Sequence, residues 1–211
     1  MVLRHIAKMG AALLVAGALA IGAAPPASAH KSSSSGNRSL ASVLAKDGSG
    51  FDRNWNDFDI VDNAVSAVLK AKPNSPVKVL ADGKTRVTAF LPTDRAFRLL
   101  VKDLTGTWSG SEKQAFTTVA SLGIDTVETV LLYHVVPGAT ITYKQALRAN
   151  GAALTMASGG TVTVKVRSRV FVKLVDADTD DADPYVIKAN INKGNKQIAH
   201  AIDRVLRPID L

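Results

Sequence analysis

The hydrophobic pattern of this chain changes from helical to strand-like about two thirds of the way along it. Between Leu40 and Asn150, apolar residues recur mainly at the three- and four-residue spacing of amphipathic helices. From Thr161 to Arg167 they alternate strictly with polar residues, as in a strand with one wet face. Helices followed by strands favour an α+β fold over an alternating βαβ sheet. A chain of 211 residues with no internal repeat predicts a single core-forming domain.

Capping and turn residues place the predicted elements. Helices are predicted after Ser39, from Asp59 to before Pro73, after Thr93, from the Ser111–Gln114 capping box to Gly123, from Asp125, and from the Thr142 cap to Asn150-Gly151. Strands are predicted at Arg86–Leu91, Thr161–Arg167, Val170–Val175, Tyr185–Ile191 and Ile198–Leu206. The second and third of these strands form a predicted hairpin.

The first 29 residues have the organisation of a secretory signal peptide. Arg4 and Lys8 precede an apolar run from Gly10 to Gly22, and Ala27-Ser28-Ala29 gives a small-residue cleavage pattern. An uncleaved anchor is the alternative, but the run is short for a membrane span. The pattern therefore predicts export.

The rest of the chain divides into a short tether and one domain. Residues 30–38 are polar and Ser-rich, which predicts a disordered tether, and residues 39–211 form the predicted domain. The chain has no cysteine, so neither a disulfide framework nor a thiolate metal site can form. We expect a secreted protein, extracellular or loosely associated with a cell wall, without integral membrane contact.

The net charge of +8 favours an anionic partner. The densest basic cluster comprises Lys165, Arg167, Arg169 and Lys173, on the two strands of the predicted hairpin. A solvated outer face is the simpler interpretation of this cluster, and an acidic glycan or cell-wall polymer is the functional one. Few aromatic residues and no basic run argue against nucleic acid as a partner.

Three short motifs combine core residues with a turn or a helix start. Thr88–Phe97 (TAFLPTDRAF) turns a strand into a helix, because Pro92 ends the pairing and Thr93 caps the helix. Leu131–Gly138 (LLYHVVPG) places a tyrosine, a histidine and a turn beside an apolar run. His200–Pro208 (HAIDRVLRP) predicts a final strand, which ends before Pro208.

In this order the motifs resemble those of the fasciclin-like (FAS1) domain, over about Leu40–Ile209. The resemblance implies a wedge of two small β-sheets packed on a helical lobe. It also implies non-catalytic extracellular adhesion, or binding of a protein, a glycan or a cell-wall polymer, without a cofactor. The stretch Gly194–Ala199 departs from the usual Asn-Gly entry into the last strand. No tripeptide motif for a cell receptor is present, and neither the ligand nor the oligomeric state can be read from the sequence.

The resemblance implies structural or partner-facing roles for a set of motif residues. These are Pro92, Thr93, Asp94, Phe97, Tyr133, His134, Pro137, His200 and Asp203. By analogy with the family, His134 fastens the helical lobe to the strand–helix turn, with Thr93 or the backbone as its partner. The alternative is a secreted hydrolase or lyase in which His134 or His200 acts with a carboxylate such as Asp94 or Asp203. No sequence motif of a hydrolase, a nucleotide-binding enzyme or a zinc protease supports it.

The stretch Asp176–Asp183 (DADTDDAD) is the densest group of carboxylates. Its acidic residues are Asp176, Asp178, Asp180, Asp181 and Asp183. The alternation at its start is typical of calcium loops, although an EF-hand would need Gly at position 181 and Glu at position 187. A calcium-stabilised binding module and a solvated acidic loop both remain as interpretations.

Overall fold

The computed structural model describes residues 35–46, 48 and 50–209, which belong to one compact unit spanning Ser34–Leu211. The predicted signal peptide and residues 30–34 of the predicted tether lie outside the described residues. Within the described part of the chain, no single helix is long and apolar enough to cross a membrane. Two helices, Glu112–Ala120 and Ile124–Tyr133, pass that test only as a pair bent by 106°.

Residues 35–38, predicted as part of the disordered tether, are instead bound to the domain. Gly36 forms a parallel bridge with Asn195, and its amide donates to the carbonyl of Gly194 at 2.8 Å. The Arg38 Nε donates to Asn192 Oδ1 at 2.7 Å. Backbone hydrogen bonds of this kind order a polar segment whatever its composition. The prediction of disorder used composition alone and therefore could not include them.

The helices of the described residues lie mostly in the first two thirds of the chain. They are α1 (Ala41–Leu44), α2 (Asp59–Ala71), a 3-10 helix (Pro76–Ala81), α3 (Asp94–Thr105), α4 (Glu112–Ala120), α5 (Ile124–Tyr133) and α6 (Tyr143–Ala146). The predicted caps of α3, α4 and α6 are confirmed, because Thr93, Ser111 and Thr142 each accept a hydrogen bond from the third amide of their helix. Ser75 caps the 3-10 helix, because its side chain accepts a hydrogen bond from the amide of Val77.

Several predicted helix ends differ in the structure. Helix α2 begins at Asp59, and the residue before it, Phe58, occupies the cap position without a side-chain hydrogen bond. Helix α4 ends at Ala120, before the predicted Gly123. Helix α5 begins one residue before Asp125, and both Asp125 and Glu128 pair with Lys72. Helix α6 ends at Ala146, before the predicted Asn150-Gly151, and continues as turns.

The strands form two separate sheets within the described residues. They are β1 (Val87–Pro92), β2 (Val135–Pro137), β3 (Ala153–Thr155), β4 (Thr161–Arg167), β5 (Phe171–Val175), β6 (Val186–Ile191) and β7 (Gln197–Ile202). One sheet has the order β2-β1-β7-β6, with β1 and β7 parallel, and the other is antiparallel in the order β3-β4-β5. Pairing of β1 with the last strand places the strand–helix motif in the centre of a sheet.

The predicted hairpin is confirmed, but three residues connect its strands and not two, because Arg167 pairs with Phe171. Ser168 and Arg169 have φ values of 49° and 62°, and the amide of Val170 donates to the carbonyl of Arg167 at 3.2 Å to close the turn. Strand β7 ends at Ile202, earlier than predicted, although the following Val205 and Leu206 remain buried. Strand β3 was not predicted, because three residues are too few for an alternating pattern to be recognised.

Buried apolar side chains of the described residues form two clusters, one centred on the helices and one around the smaller sheet. Helix α2 contributes Ile60, Ala64 and Val68 to the first cluster. Tyr133 and Phe90 belong to the second. Two sheets packed with a helical lobe agree with the predicted α+β architecture.

Candidate functional site

The strand–helix motif caps two helices. Thr93 caps α3, and the next residue, Asp94, turns its carboxylate to the start of α2. Its Oδ1 accepts from the amide of Ile60 at 2.9 Å, and its Oδ2 accepts from the amide of Asp59 at 3.2 Å. A carboxylate at the positive end of a helix is well placed. The cap of α2 therefore comes from a residue more than thirty positions away.

His134 is buried, with an exposed fraction of 4%, and its ring bridges two backbone segments. Its Nδ1 lies 2.7 Å from the carbonyl of Val130, and its Nε2 accepts from the amide of Leu206 at 2.9 Å. These partners assign the proton to Nδ1. Burial lowers the pKa of His134 to about 4, and the bond to Val130 opposes this only in part. The ring is therefore neutral at pH 7, and its partners are backbone groups and not Thr93.

His200 has an equivalent arrangement in the last strand. Its Nε2 lies 2.9 Å from the carbonyl of Ile141, and its Nδ1 accepts from the amide of Asn190 at 3.3 Å. Burial lowers the pKa of this imidazole too. The ring packs between Phe90 and Tyr143, at centroid distances of 6.1 and 6.2 Å. Among the described residues, neither His134 nor His200 forms a hydrogen bond to a carboxylate.

The remaining motif residues lie in the core or at strand ends. Tyr133 is buried, and its hydroxyl donates to the carbonyl of Thr161 at 2.8 Å. Phe97 is buried, and Pro92 is the last residue of β1. Pro137 is exposed at the end of β2. The Oδ1 of Asp203 accepts from the amide of Tyr185 at 2.7 Å.

The Asp176–Asp183 segment, the acidic loop from here on, forms a network of ion pairs with basic side chains from other parts of the chain. Arg207 lies 3.4 Å from Asp178 and 3.1 Å from Asp181, and its amide donates to Asp176 at 2.8 Å. Asp183 pairs with Lys173 at 2.7 Å. Basic side chains that the sequence places outside the loop thus neutralise its carboxylates. Among the described residues, no three acidic groups of this loop come within ligand distance of one another.

Three other carboxylates do converge, and the sequence analysis missed this. Asp57, Asp94 and Glu112, named the carboxylate cluster, are all buried and have oxygens within 4.8 Å of one another. They come from the loop before α2 and from the starts of α3 and α4. Burial, reinforced by Asp57, raises the pKa of Asp94 to about 8. Asp94 belonged to a family motif and Glu112 to the predicted capping box at Ser111–Gln114, but neither pattern indicated that the two carboxylates meet Asp57.

A surface groove lies beside this cluster and contains both tryptophans of the chain. The groove, called the tryptophan groove, has a volume of about 530 Å³ and is lined by Trp55, Asn56, Arg95, Arg98, Leu99 and Trp108. The guanidinium carbon of Arg98 lies 4.7 Å from the Trp55 ring centroid and 5.4 Å from that of Trp108. Arg98 Nε also donates to the carbonyl of Ser109 at 3.0 Å, which holds the guanidinium in place.

The sequence contained a signal for this groove. The chain has two tryptophans, and each lies in a polar segment without helical periodicity. Trp108 has 51% of its surface exposed, which is unusual for so large an apolar side chain. Tryptophan in a loop is typical of a contact surface, because it buries a large area on binding.

Comparison with known proteins agrees with this fold. The fasciclin domain family matches residues 62–208. The solved FAS1 domain pair from the insect cell adhesion molecule fasciclin I is 15% identical, with a TM-score of 0.50, and the match covers 72% of this chain and 48% of that one. This chain thus spans about half the length of that domain pair. No curated protein matches. Since the family match covers more than half of the chain, the protein belongs to the fasciclin domain family and has its α+β FAS1 fold.

Proposed function

We propose that this protein is an exported, non-catalytic binding domain that holds an acidic glycan or cell-wall polymer in the tryptophan groove. Family membership supports a role in adhesion or binding in general. The observation that carries the finer proposal is the position of Arg98 between the rings of Trp55 and Trp108.

The chemistry of the groove suits a ligand that is both flat-faced and anionic. Exposed indole rings stack on the apolar faces of sugar rings, and a guanidinium held in place binds carboxylate or phosphate through two parallel hydrogen bonds. Arg95 is exposed on the same groove, and Lys102 Nζ lies 5.9 Å from the Trp108 ring centroid. Three cations around two aromatic rings therefore favour an acidic polymer over a neutral one.

The arrangement of the histidines does not support the hydrolase or lyase alternative. A general base needs a ring nitrogen within reach of a substrate proton, but both rings are bonded to backbone. His134 lines a cavity of about 30 Å³, which has space for about one water molecule. Asp94 and Asp203, the carboxylates considered with them, bind backbone amides instead.

A fluorescence titration tests the proposal directly, because the tryptophans of the chain are both in the groove. We expect polygalacturonate to change the emission of the purified protein saturably, and a neutral glucan to have no effect. Binding should weaken as salt is added. Trp108→Ala should weaken binding by at least about tenfold, as expected for the loss of a stacked aromatic anchor.

Phe171→Ala is the matched control, because Phe171 is as exposed as Trp108 but lies on the hairpin. Its binding should match that of the unchanged protein. Weaker binding by Phe171→Ala together with normal binding by Trp108→Ala would move the ligand to the basic hairpin. Saturable capture of proteins, with no retention on acidic polymers, would contradict the proposed ligand class.

A further inference from the structure

The loop before α2 carries oxygen-bearing side chains at every second position. These residues are Asp52, Asn54 and Asn56. Asp57 follows them in the loop, and Asp59 is the first residue of α2. Asp52 Oδ1 accepts from the amide of Asn54 at 2.7 Å, and Asn54 Oδ1 accepts from the amide of Asn56 at 3.3 Å. These bonds curl the loop, so that Trp55 faces the groove while Asp57 points inward.

Two overlapping groups of carboxylates meet at Asp57. Asp57, Asp94 and Glu112 form the buried group, and Asp52, Asp57 and Asp59 form the other. In each group the oxygens lie within 4.8 Å of one another, the separation expected for ligands of one hard cation. Asp52 is exposed, so the second group gives the buried one a route to solvent.

Two oxygens of the buried group have no hydrogen-bond partner among the described residues: Asp57 Oδ1 and Glu112 Oε1. Their side chains belong to residues that are 8% and 1% exposed. The other Glu112 oxygen accepts from the amide of Arg53 at 3.1 Å, so the carboxylate is held with one oxygen aimed into the cluster. A buried acceptor without a partner is costly, and native proteins rarely leave one without a reason.

Among the residues that the structure describes, basic side chains do not compensate the charge of the buried group. Within the described residues, none of the ion pairs includes Asp57, Asp94 or Glu112. Three carboxylates in a buried space repel one another unless a proton or a cation lies between them. Both oxygens of Asp94 accept backbone amides, whereas Glu112 has only one oxygen bonded in this way and Asp57 Oδ1 has no partner among the described residues.

We propose that Asp57, Asp94 and Glu112 bind a calcium ion, with the buried Asp59 and the exposed Asp52 completing its oxygen ligands. Calcium accepts six to eight oxygen ligands in flexible geometry, whereas magnesium requires a near-ideal octahedron and retains several waters. A site of five carboxylates from three chain segments suits the larger ion. The site contains no residue of the acidic loop.

A bound ion would hold together the segments that form the tryptophan groove. Trp55 lies in the loop that supplies Asp57, Arg95 and Arg98 follow Asp94 in α3, and Trp108 precedes Glu112. The amide of Arg95 already donates to the carbonyl of Trp55 at 2.8 Å. Calcium would therefore preorganise the groove. This consequence rests on the proposed function, but the ion site itself does not.

The test compares the chelator-treated protein with and without 1 mM calcium chloride. Calcium should raise the melting temperature by about 5 °C, as expected for an ion present far above its dissociation constant. Terbium is the second probe: excitation of Trp55, two residues from Asp57, should sensitise its emission, and calcium should displace it. Glu112→Gln keeps the side-chain shape and should weaken calcium binding at least tenfold. Asp57→Asn provides the same test if Glu112→Gln fails to fold.

Asp180→Asn, in the acidic loop, is the matched control and should bind calcium within twofold of the unchanged protein. A melting temperature that 10 mM calcium leaves unchanged would overturn the site. Loss of binding in Asp180→Asn, with normal binding in Glu112→Gln, would move the ion to the acidic loop. An equal shift with the same concentration of magnesium would overturn the choice of ion. Polymer binding is measured separately, so its failure would leave these results unaffected.

Discussion

In the acidic loop, Asp178 and Asp181 lie against the guanidinium of Arg207, whereas Asp57 and Glu112 face one another across the carboxylate cluster. The loop has five acidic residues in eight positions, a density that makes it a candidate cation site from the sequence alone. The members of the cluster are separated by 37 and 18 positions along the chain, since they occupy positions 57, 94 and 112. Yet the cluster, and not the loop, contains buried oxygens without a partner among the described residues.

The comparison shows that carboxylate density is a poor guide to a cation site. What matters is whether the fold supplies a compensating charge. Arg207, together with Lys173 and Arg204, supplies it to the loop, and a calcium ion there would have to displace those side chains. Backbone amides bind the cluster, and none of the ion pairs among the described residues includes it, so a proton or a cation must balance its charge.

The largest effect should come from removing the compensating charge of the loop. Arg207→Met should lower the free energy of unfolding by about 3–5 kcal/mol, because Asp178 would remain buried without its cation. Urea unfolding gives this value. Arg148→Met, at an exposed position, is the control and should change stability by no more than about 0.5 kcal/mol. A small effect of Arg207→Met would mean that the loop does not depend on its ion pairs.

His134 is a buried titratable group that can be compared with both acidic regions, because each of its ring nitrogens has a hydrogen-bond partner. Since burial lowers the pKa of His134 to about 4 from an ordinary 6.5, only the neutral ring fits the fold. Its contribution to stability is complete above pH 6.5 and is lost as the pH falls towards 4. The loss amounts to about 3 kcal/mol, at about 1.4 kcal/mol per pH unit.

The measurement is the difference in unfolding free energy between the unchanged protein and His134→Gln, which should shrink over this pH range. Comparing the two proteins cancels the titration of other groups. NMR titration of the folded protein gives a second readout. A midpoint for His134 near 6.5 would show that burial does not control ionisation here, and would weaken the argument for the carboxylate cluster too.

The smallest effect distinguishes the two acidic regions by its sign. In calcium-free buffer, Glu112→Gln should raise the free energy of unfolding by about 1 kcal/mol, because an amide removes repulsion and can donate to Asp57 Oδ1. Asp178→Asn should lower it by a similar amount or more, because it weakens the pair with Arg207. Urea unfolding in chelator measures both. Effects of the same sign would remove the distinction between the regions.

Local features of the fold could be predicted from the sequence. The Thr93 and Thr142 caps, the strand Thr161–Arg167 and the turn at Ser168-Arg169 each depend on residues within a few positions. Motif order also identified the family, which the family match confirmed. At the start of α2, a distant side chain takes part that no local pattern could indicate, because both oxygens of Asp94 accept the first amides of that helix.

The candidate site could not be predicted in the same way. His134 was recognised as a candidate, but its partner Leu206 lies 72 positions away. The groove forms because α3 carries Arg98 between two loops that no local pattern connects. The sequence shows which residues these sites contain, but it does not show that the fold brings them close together.

The sequence by itself determined the class of fold, the positions of most helices and strands, and the family, because these follow from periodicity and from short-range caps and turns. Tertiary structure alone decided the parallel pairing of β1 with β7, the ion pairs of the acidic loop and the meeting of Asp57, Asp94 and Glu112. The physical reason is that charge and burial act through space. Whether a carboxylate is compensated depends on the neighbours that packing brings to it.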